Sequence, residues 1–177
     1  MRKRRAFGGK MKNIVLIGMP GGGKSTVGVI LAKTLGTYFI DTDLIIQVQQ
    51  KNTLQQLIDL YGIERFLDFE EEAVLSVDSK QDTVIATGGS AVFREGAMKH
   101  LKENGVVIYL DLPVAELERR LSNIKTRGVA CKKGESIKDI FAERSPYYEK
   151  YADIKINCTG KTPEEIVEKI VEKVEKL

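Results

Sequence analysis

Aliphatic and polar positions alternate along the chain in blocks of two periods. Asn13-Ile14-Val15-Leu16-Ile17 is an almost unbroken aliphatic run, the pattern of a strand buried on both faces of a parallel sheet. A glycine-rich turn follows, and then Val27, Ile30, Leu31 and Leu35 recur at helical spacing until Gly36 closes the helix. Tyr38-Phe39-Ile40 predicts a short second strand ending at Asp41. Thr53 is placed to cap a helix through Leu54, Leu57, Ile58 and Tyr61. Gly62 interrupts it, and a more acidic helix follows through Phe66, Phe69, Ala73 and Val74. Thr83-Val84-Ile85-Ala86 and Val106-Val107-Ile108-Tyr109-Leu110 predict strands three and four. Pro113 is expected at the first position of the next helix, with Leu117 and Leu121 on one face.

Residues 122–136 break the pattern. They hold Gly128, Gly134, several charges and little periodicity, and are expected to form a mobile excursion. A helix resumes near Ser136 through Ile137, Ile140 and Phe141. Ile154-Lys155-Ile156 is a fifth strand. Thr162-Pro163-Glu164-Glu165 starts a last helix whose apolar face is Ile166, Val167, Ile170 and Val174. Strand–helix alternation of this kind implies a three-layer α/β/α domain around a parallel sheet of five strands.

Composition narrows the function classes. With 177 residues, 42% apolar and 30% charged, the chain fits one globular domain. No apolar run approaches the roughly 18 residues that span a bilayer, so no membrane role is expected. Arg2, Lys3, Arg4, Arg5 and Lys10 all lie in residues 1–10, read as a disordered basic leader before a single domain over 11–177. Beyond it, 23 basic residues stand against 25 acidic ones, so the net charge of +3 is no argument for nucleic acid. Trp is absent and aromatics are 7%, which excludes a broad base-stacking surface. Cys131 and Cys158 stand far apart, fit neither a zinc site nor a disulfide framework, and suit a reducing cytoplasm. The single histidine, His100, sits in a polar helix-like stretch and is expected on the solvated surface.

The chemistry lies in Gly18-Met19-Pro20-Gly21-Gly22-Gly23-Lys24-Ser25, which matches G-x-x-x-x-G-K-[ST] between a buried strand and a helix. Gly21, Gly22 and Gly23 let backbone N–H groups turn inward around phosphate, and the helix start at Lys24, Ser25 and Thr26 adds positive potential. Lys24 can reach the β- and γ-phosphates of a nucleotide, and Ser25 can place its hydroxyl on Mg²⁺. Asp41 and Asp43 end the second strand at the sheet edge where ligands gather. One can hold Mg²⁺ through water, and the other can orient or deprotonate an acceptor hydroxyl; capping of the following helix accounts for only one of them. Thr87-Gly88-Gly89-Ser90 closes strand three at the same edge. Arg120, Arg127 and Arg144 follow, and a guanidinium on a mobile lid would meet charge developing on the γ-phosphoryl only on closure.

With these residues together the chain resembles the shikimate kinases, P-loop enzymes of the nucleoside-monophosphate-kinase type, over essentially all of residues 11–177. The resemblance rests on the phosphate loop, Phe39-Ile40-Asp41-Thr42-Asp43, Ala86-Thr87-Gly88-Gly89, Val107-Ile108-Tyr109-Leu110, and Glu143-Arg144-Ser145-Pro146-Tyr147-Tyr148-Glu149 followed by Ala152-Asp153. It implies ATP and Mg²⁺ as cofactors, a lid over about residues 122–136, and transfer of the γ-phosphoryl to the 3-hydroxyl of shikimate by a cytoplasmic monomer. By resemblance, Asp43 and Gly89 contact the substrate, Arg144 binds its carboxylate, and Asp41 supports the magnesium. Arg127 is the lid arginine, while Arg120, Lys161 and Pro163 lie on the adenine side. Three positions depart from the family pattern. Leu67 replaces a second carboxylate-binding arginine in Phe66-Leu67-Asp68-Phe69-Glu70, Ser90 replaces a glycine, and Arg127-Gly128-Val129-Ala130 replaces Arg-Pro-Leu-Leu. These leave two alternatives open: a kinase for another hydroxy acid, polyol or nucleotide, and a non-catalytic nucleotide-binding switch.

Overall fold

The computed structural model describes residues 12–78, 82–121 and 128–177. Five parallel strands form one sheet in the order β2-β3-β1-β4-β5. They are β1 (Asn13–Ile17), β2 (Tyr38–Asp41), β3 (Thr83–Ala86), β4 (Gly105–Asp111) and β5 (Ile154–Asn157). β1 and β3 are buried at every residue and β4 at all but its last, as expected of central strands covered on both faces. The edge strand β5 alternates buried and exposed residues.

The helices are α1 (Lys24–Leu35), α2 (Thr42–Gln50), α3 (Leu54–Leu75), α4 (Glu95–Glu103), α5 (Val114–Arg120), α6 (Ile137–Tyr151) and α7 (Pro163–Val174). α1 and α7 pack together as one layer. α3, α4, α6 and a short 3-10 turn at Ala91–Phe93 pack as the other. Thr53, Ser136 and Thr162 each start a helix with a full capping box, closed by Gln56, Asp139 and Glu165. Caps of this type stabilise a helix by about 1 kcal/mol each. α3 is two helical pieces broken at Gly62, as the sequence implies.

Three expectations are corrected. Pro113 precedes α5 at its cap, with extended backbone, one position before the first turn. His100 is half-buried, and its Nε2 lies 3.0 Å from the Val77 carbonyl oxygen on the loop after α3. The excursion after α5 has apolar anchors: Val129 joins the main core, and Ala130 packs with Ile46, Leu57, Phe66, Phe69 and Ala73 in a second cluster. Two consecutive small apolar residues carry no period, so their burial was invisible to pattern. Arg127 lies outside the described residues.

The sheet register positions the site. Ala86 pairs with Leu16 on one side and Asp41 on the other, so β1, β3 and β2 end level. Beyond these ends Thr87 donates from its N and Oγ1 to the Leu16 carbonyl, at 3.2 and 3.1 Å. Gly88 N donates to Thr42 Oγ1 at 3.2 Å. The phosphate loop, the start of α2 and the Thr87–Gly89 turn are thereby laced to one sheet edge, outside the carboxyl ends of the strands.

Candidate active site

Gly23 caps α1 with φ of 87°, a left-handed backbone that an L side chain rarely adopts. The turn Gly22 N to Met19 O, 3.0 Å, tightens the loop before it. The loop therefore presents its backbone N–H groups at the N-terminus of a 12-residue helix, which is an anion site by dipole and by unpaired donors together. Lys24 lies buried beneath the loop. Its Nζ donates to the carbonyls of Gly18 and Met19, at 2.8 and 2.9 Å. Burial lowers its pKa to about 8, and the Arg144 charge adds to that; Asp43, Asp41 and Glu70 oppose the shift. An arriving phosphate would supply the negative charge this buried ammonium lacks.

A cavity of about 490 Å³ opens above the loop. Gly21, Gly23, Lys24, Ser25, Thr26 and Arg120 line its phosphate side. Asp43, Glu70, Gly89, Ser90, Arg144 and Phe66 line the far side, and Gly128, Val129 and Ala130 also border it. Arg144, on α6, is 1% exposed. It donates from Nη2 to the Ala130 carbonyl, while its Nε is buried without a partner. Asp43 Oδ1 is likewise buried and unpartnered. Burial, and secondarily the neighbouring Asp41, push the Asp43 carboxyl up to about 6. A buried donor and a buried acceptor left unpaired in one cavity mark where a ligand would be recognised, since each costs about 1–3 kcal/mol unsatisfied.

Asp41 divides its oxygens. Oδ1 accepts from Asp43 N at 3.0 Å and so caps α2, and Oδ2 accepts from Ser25 Oγ at 2.6 Å. Capping thus explains Asp41, and Asp43 is left to the cavity.

The structure gathers most of the sequence-predicted residues around this space. Gly22 and Asp41 stand one layer behind it. Lys161 and Pro163 are not brought to it. Lys161 lies at the start of α7, its Nζ donating to Thr159 O at 3.2 Å, and borders a separate cavity of about 550 Å³. Arg120 is held by Glu116, at 2.8 Å, with Nη1 3.5 Å from Gly21 O at the loop's rim. Leu67 is 7% exposed but does not line the cavity, because Phe66 and Glu70, four apart on α3, share the facing side. Arg65, two residues before it, pairs with Glu72 and Asp68 outside the site. Pattern reading missed Glu70 as a site residue. The signal was present: Glu70 interrupts the face Phe66, Phe69, Ala73 and Val74, and a carboxylate on an apolar face needs a reason to be buried. Burial and the nearby Asp43 raise its pKa to about 7.

A phosphate loop with a buried lysine, facing a carboxylate and a guanidinium across one cavity on a parallel sheet, defines a P-loop small-molecule kinase. The family model described as "Shikimate kinase" matches residues 20–175. A shikimate kinase of Thermodesulfovibrio yellowstonii is 40% identical over 169 residues, covering 94% of this chain and 97% of that protein. Human "Threonine synthase-like 1" is 38% identical over 169 residues, covering 93% of this chain but 22% of that longer protein. Among solved structures, shikimate kinase from Acinetobacter baumannii in complex with shikimate superposes with a TM-score of 0.89 at 28% identity, covering 98% of both chains. The chain belongs to the shikimate kinase family, and it is an ATP-dependent kinase.

Proposed function

We propose that this protein transfers the γ-phosphoryl of ATP to the 3-hydroxyl of shikimate. The observation that carries the reading is the pair of unpartnered buried atoms, Asp43 Oδ1 and Arg144 Nε, in the cavity that the phosphate loop closes on its other side. A hydroxylated carboxylic acid answers both, its hydroxyl donating to Asp43 and its carboxylate accepting from Arg144. The loop N–H groups and Lys24 bind the β- and γ-phosphates. Asp43 takes the proton of the acceptor hydroxyl as that hydroxyl's oxygen attacks the γ-phosphorus and the bond to the β–γ bridging oxygen breaks, releasing ADP. A carboxyl raised to about 6 is mostly ionised at pH 7 and more basic than an exposed aspartate. Ser25 and Asp41 fit Mg²⁺, because Ser25 Oγ spends its hydrogen on Asp41 and keeps lone pairs for a cation. When bound, Mg²⁺ would neutralise phosphate charge. Arg127 serves in this reading as the lid cation and Arg120 stands on the adenine side; Lys161 and Pro163, outside the cavity, would meet the adenine only where it extends past the Arg120 rim.

In this reading the enzyme acts as a monomer. The reading places the enzyme in a reducing cytoplasm, consistent with Cys131 and Cys158 both being free thiols. Among the described residues no helix is long and apolar enough to cross a membrane.

The test is ADP release with shikimate, quinate, gluconate, homoserine and nucleoside monophosphates. Shikimate is expected to stimulate release far above the others. A slow release indifferent to every acceptor would instead favour the nucleotide switch.

Gly88 offers a second check on the acceptor side. A Cβ there would overlap Glu70 Oε1 and lie 2.9 Å from Asp43 Oδ1. Both are ends of movable side chains, so Gly88→Ala should fold while displacing the carboxylates. Its KM for the acceptor is expected to rise about tenfold or more, by loss of at least one charge-assisted hydrogen bond, with the KM for ATP unchanged. Steady-state kinetics with each substrate varied in turn would show a matching rise for ATP if the cavity were not divided this way.

A further inference from the structure

Two carboxylates crowd the acceptor end of the cavity. Glu70 Oε1 and Asp43 Oδ1 both lie within 2.9 Å of the point that a Cβ on Gly88 would occupy, so the two carboxylates share the space that the absent side chain leaves. Glu70 is 2% exposed, so water does little to screen it. Like charges so placed repel, and a glutamate with a long flexible stem will swing away or hold a proton unless a donor fixes it. Ser90 supplies that donor. It is 2% exposed, lines the same cavity, and donates from Oγ to Glu70 Oε2. Its backbone N–H also favours ionised Glu70. Ser90 itself is held by the 3-10 turn that follows, through Phe93 N to Ser90 O at 3.0 Å, so the hydroxyl stands on a fixed loop.

We propose that Ser90 is a positioning residue for the acceptor: its hydroxyl pins the Glu70 carboxylate to the cavity wall beside Asp43, so that neighbouring hydroxyls of one acceptor meet two adjacent carboxylates. The inference rests on the reading of this cavity as the acceptor site. Specificity for a vicinal diol then comes from a pair of acids that would otherwise separate, and Ser90 is the group that keeps them together. The charged and titratable groups facing Glu70 are Asp43 on α2, Lys24 on α1, and Arg144 and Tyr148 on α6. Arg144 and the Ser90 bonds favour the ionised carboxylate; burial and Asp43 oppose it. Removing the Ser90 hydroxyl therefore moves Glu70 further toward its neutral form.

The test uses Ser90→Ala, with Ser90→Gly as a second variant carrying the same expectation. Loss of a hydrogen bond to a charged group is expected to raise the KM for shikimate about 10- to 100-fold, with the KM for ATP within about twofold of the parent. In a Glu70→Gln background the same Ser90→Ala change should cost less than about twofold, because its charged partner is gone. A carboxyl ¹³C NMR titration of the unliganded protein, with the Glu70 resonance identified by its loss in Glu70→Gln, gives a readout independent of any acceptor. There Ser90→Ala should raise the Glu70 midpoint by about one pH unit. An unchanged midpoint, an unchanged acceptor KM, or an equal loss in the Glu70→Gln background overturns the proposal. Failure of the shikimate reading would show separately, as absent turnover of shikimate by the unmodified enzyme.

Discussion

Lys24→Ala is expected to lower kcat/KM for ATP by about 10³-fold and to leave the fold intact. The size follows from where the charge develops. Removing one preorganised group that stabilises transition-state charge costs about 10²–10³-fold, and Lys24 is the cation beneath the phosphate loop. The intact fold follows from what Lys24 does without nucleotide. Its ammonium is buried, with a pKa pushed down to about 8, so its burial is a cost that the folded chain bears. Its partners are two carbonyls of its own loop, and Met19 O keeps the Gly22 N–H when the lysine is gone. Thermal melts should move by a few degrees at most, while ADP release in the presence of shikimate nearly vanishes. Turnover within tenfold of the parent would remove the phosphate loop from the chemistry and the kinase reading with it.

What could be read from the sequence divides along a physical line. The strands and the phosphate loop were legible because their signals are local: β1 and β3 are continuous aliphatic runs, and Gly21–Ser25 carries its spacing in itself. The helix caps at Thr53 and Thr162 were legible for the same reason. Glu70 and Ser90 were not, because their meaning is a contact across 20 positions that only the fold creates. The sheet order was likewise hidden, since each strand states that it is buried and says nothing about its neighbours. Leu67 is tied to the acceptor by the family resemblance alone; as a leucine it does not line the cavity, because its helix turns Phe66 and Glu70 toward that space. Asp41 and Asp43 look equivalent in pattern, and before the fold only the family resemblance tells them apart. The structure separates them by giving Asp41 a cap and a serine and leaving an oxygen of Asp43 unpaired.

That separation supports the second large prediction, Asp43→Asn. An asparagine keeps the shape and a hydrogen-bonding oxygen but cannot take a proton at neutral pH. Losing a general base costs about 10²–10⁴-fold, so kcat is expected to fall by that factor while the affinity for ATP stays within about twofold. Stability should move the other way. Burial and Asp41 raise the Asp43 pKa from 3.8 to about 6, so between these values the native state binds more protons than the unfolded chain. The parent protein therefore loses stability on this account as pH rises from about 4 to about 6, and the loss persists above. Asp43→Asn has no such titration and should be more stable than the parent at pH 8, by up to about 3 kcal/mol at 1.36 kcal/mol per pKa unit. Below pH 4 the advantage should vanish, because the parent carboxyl is neutral in both states. Denaturant melts of the two proteins at pH 4 and pH 8, beside ADP release and nucleotide binding at pH 7.5, measure all of this at once. A variant that lost activity and stability together would make Asp43 a structural residue. A variant that lost ATP binding but kept its acceptor affinity would move Asp43 to the nucleotide side. Loss of turnover with gain of stability is the signature of a carboxylate held against its electrostatic preference for the sake of the proton it must accept.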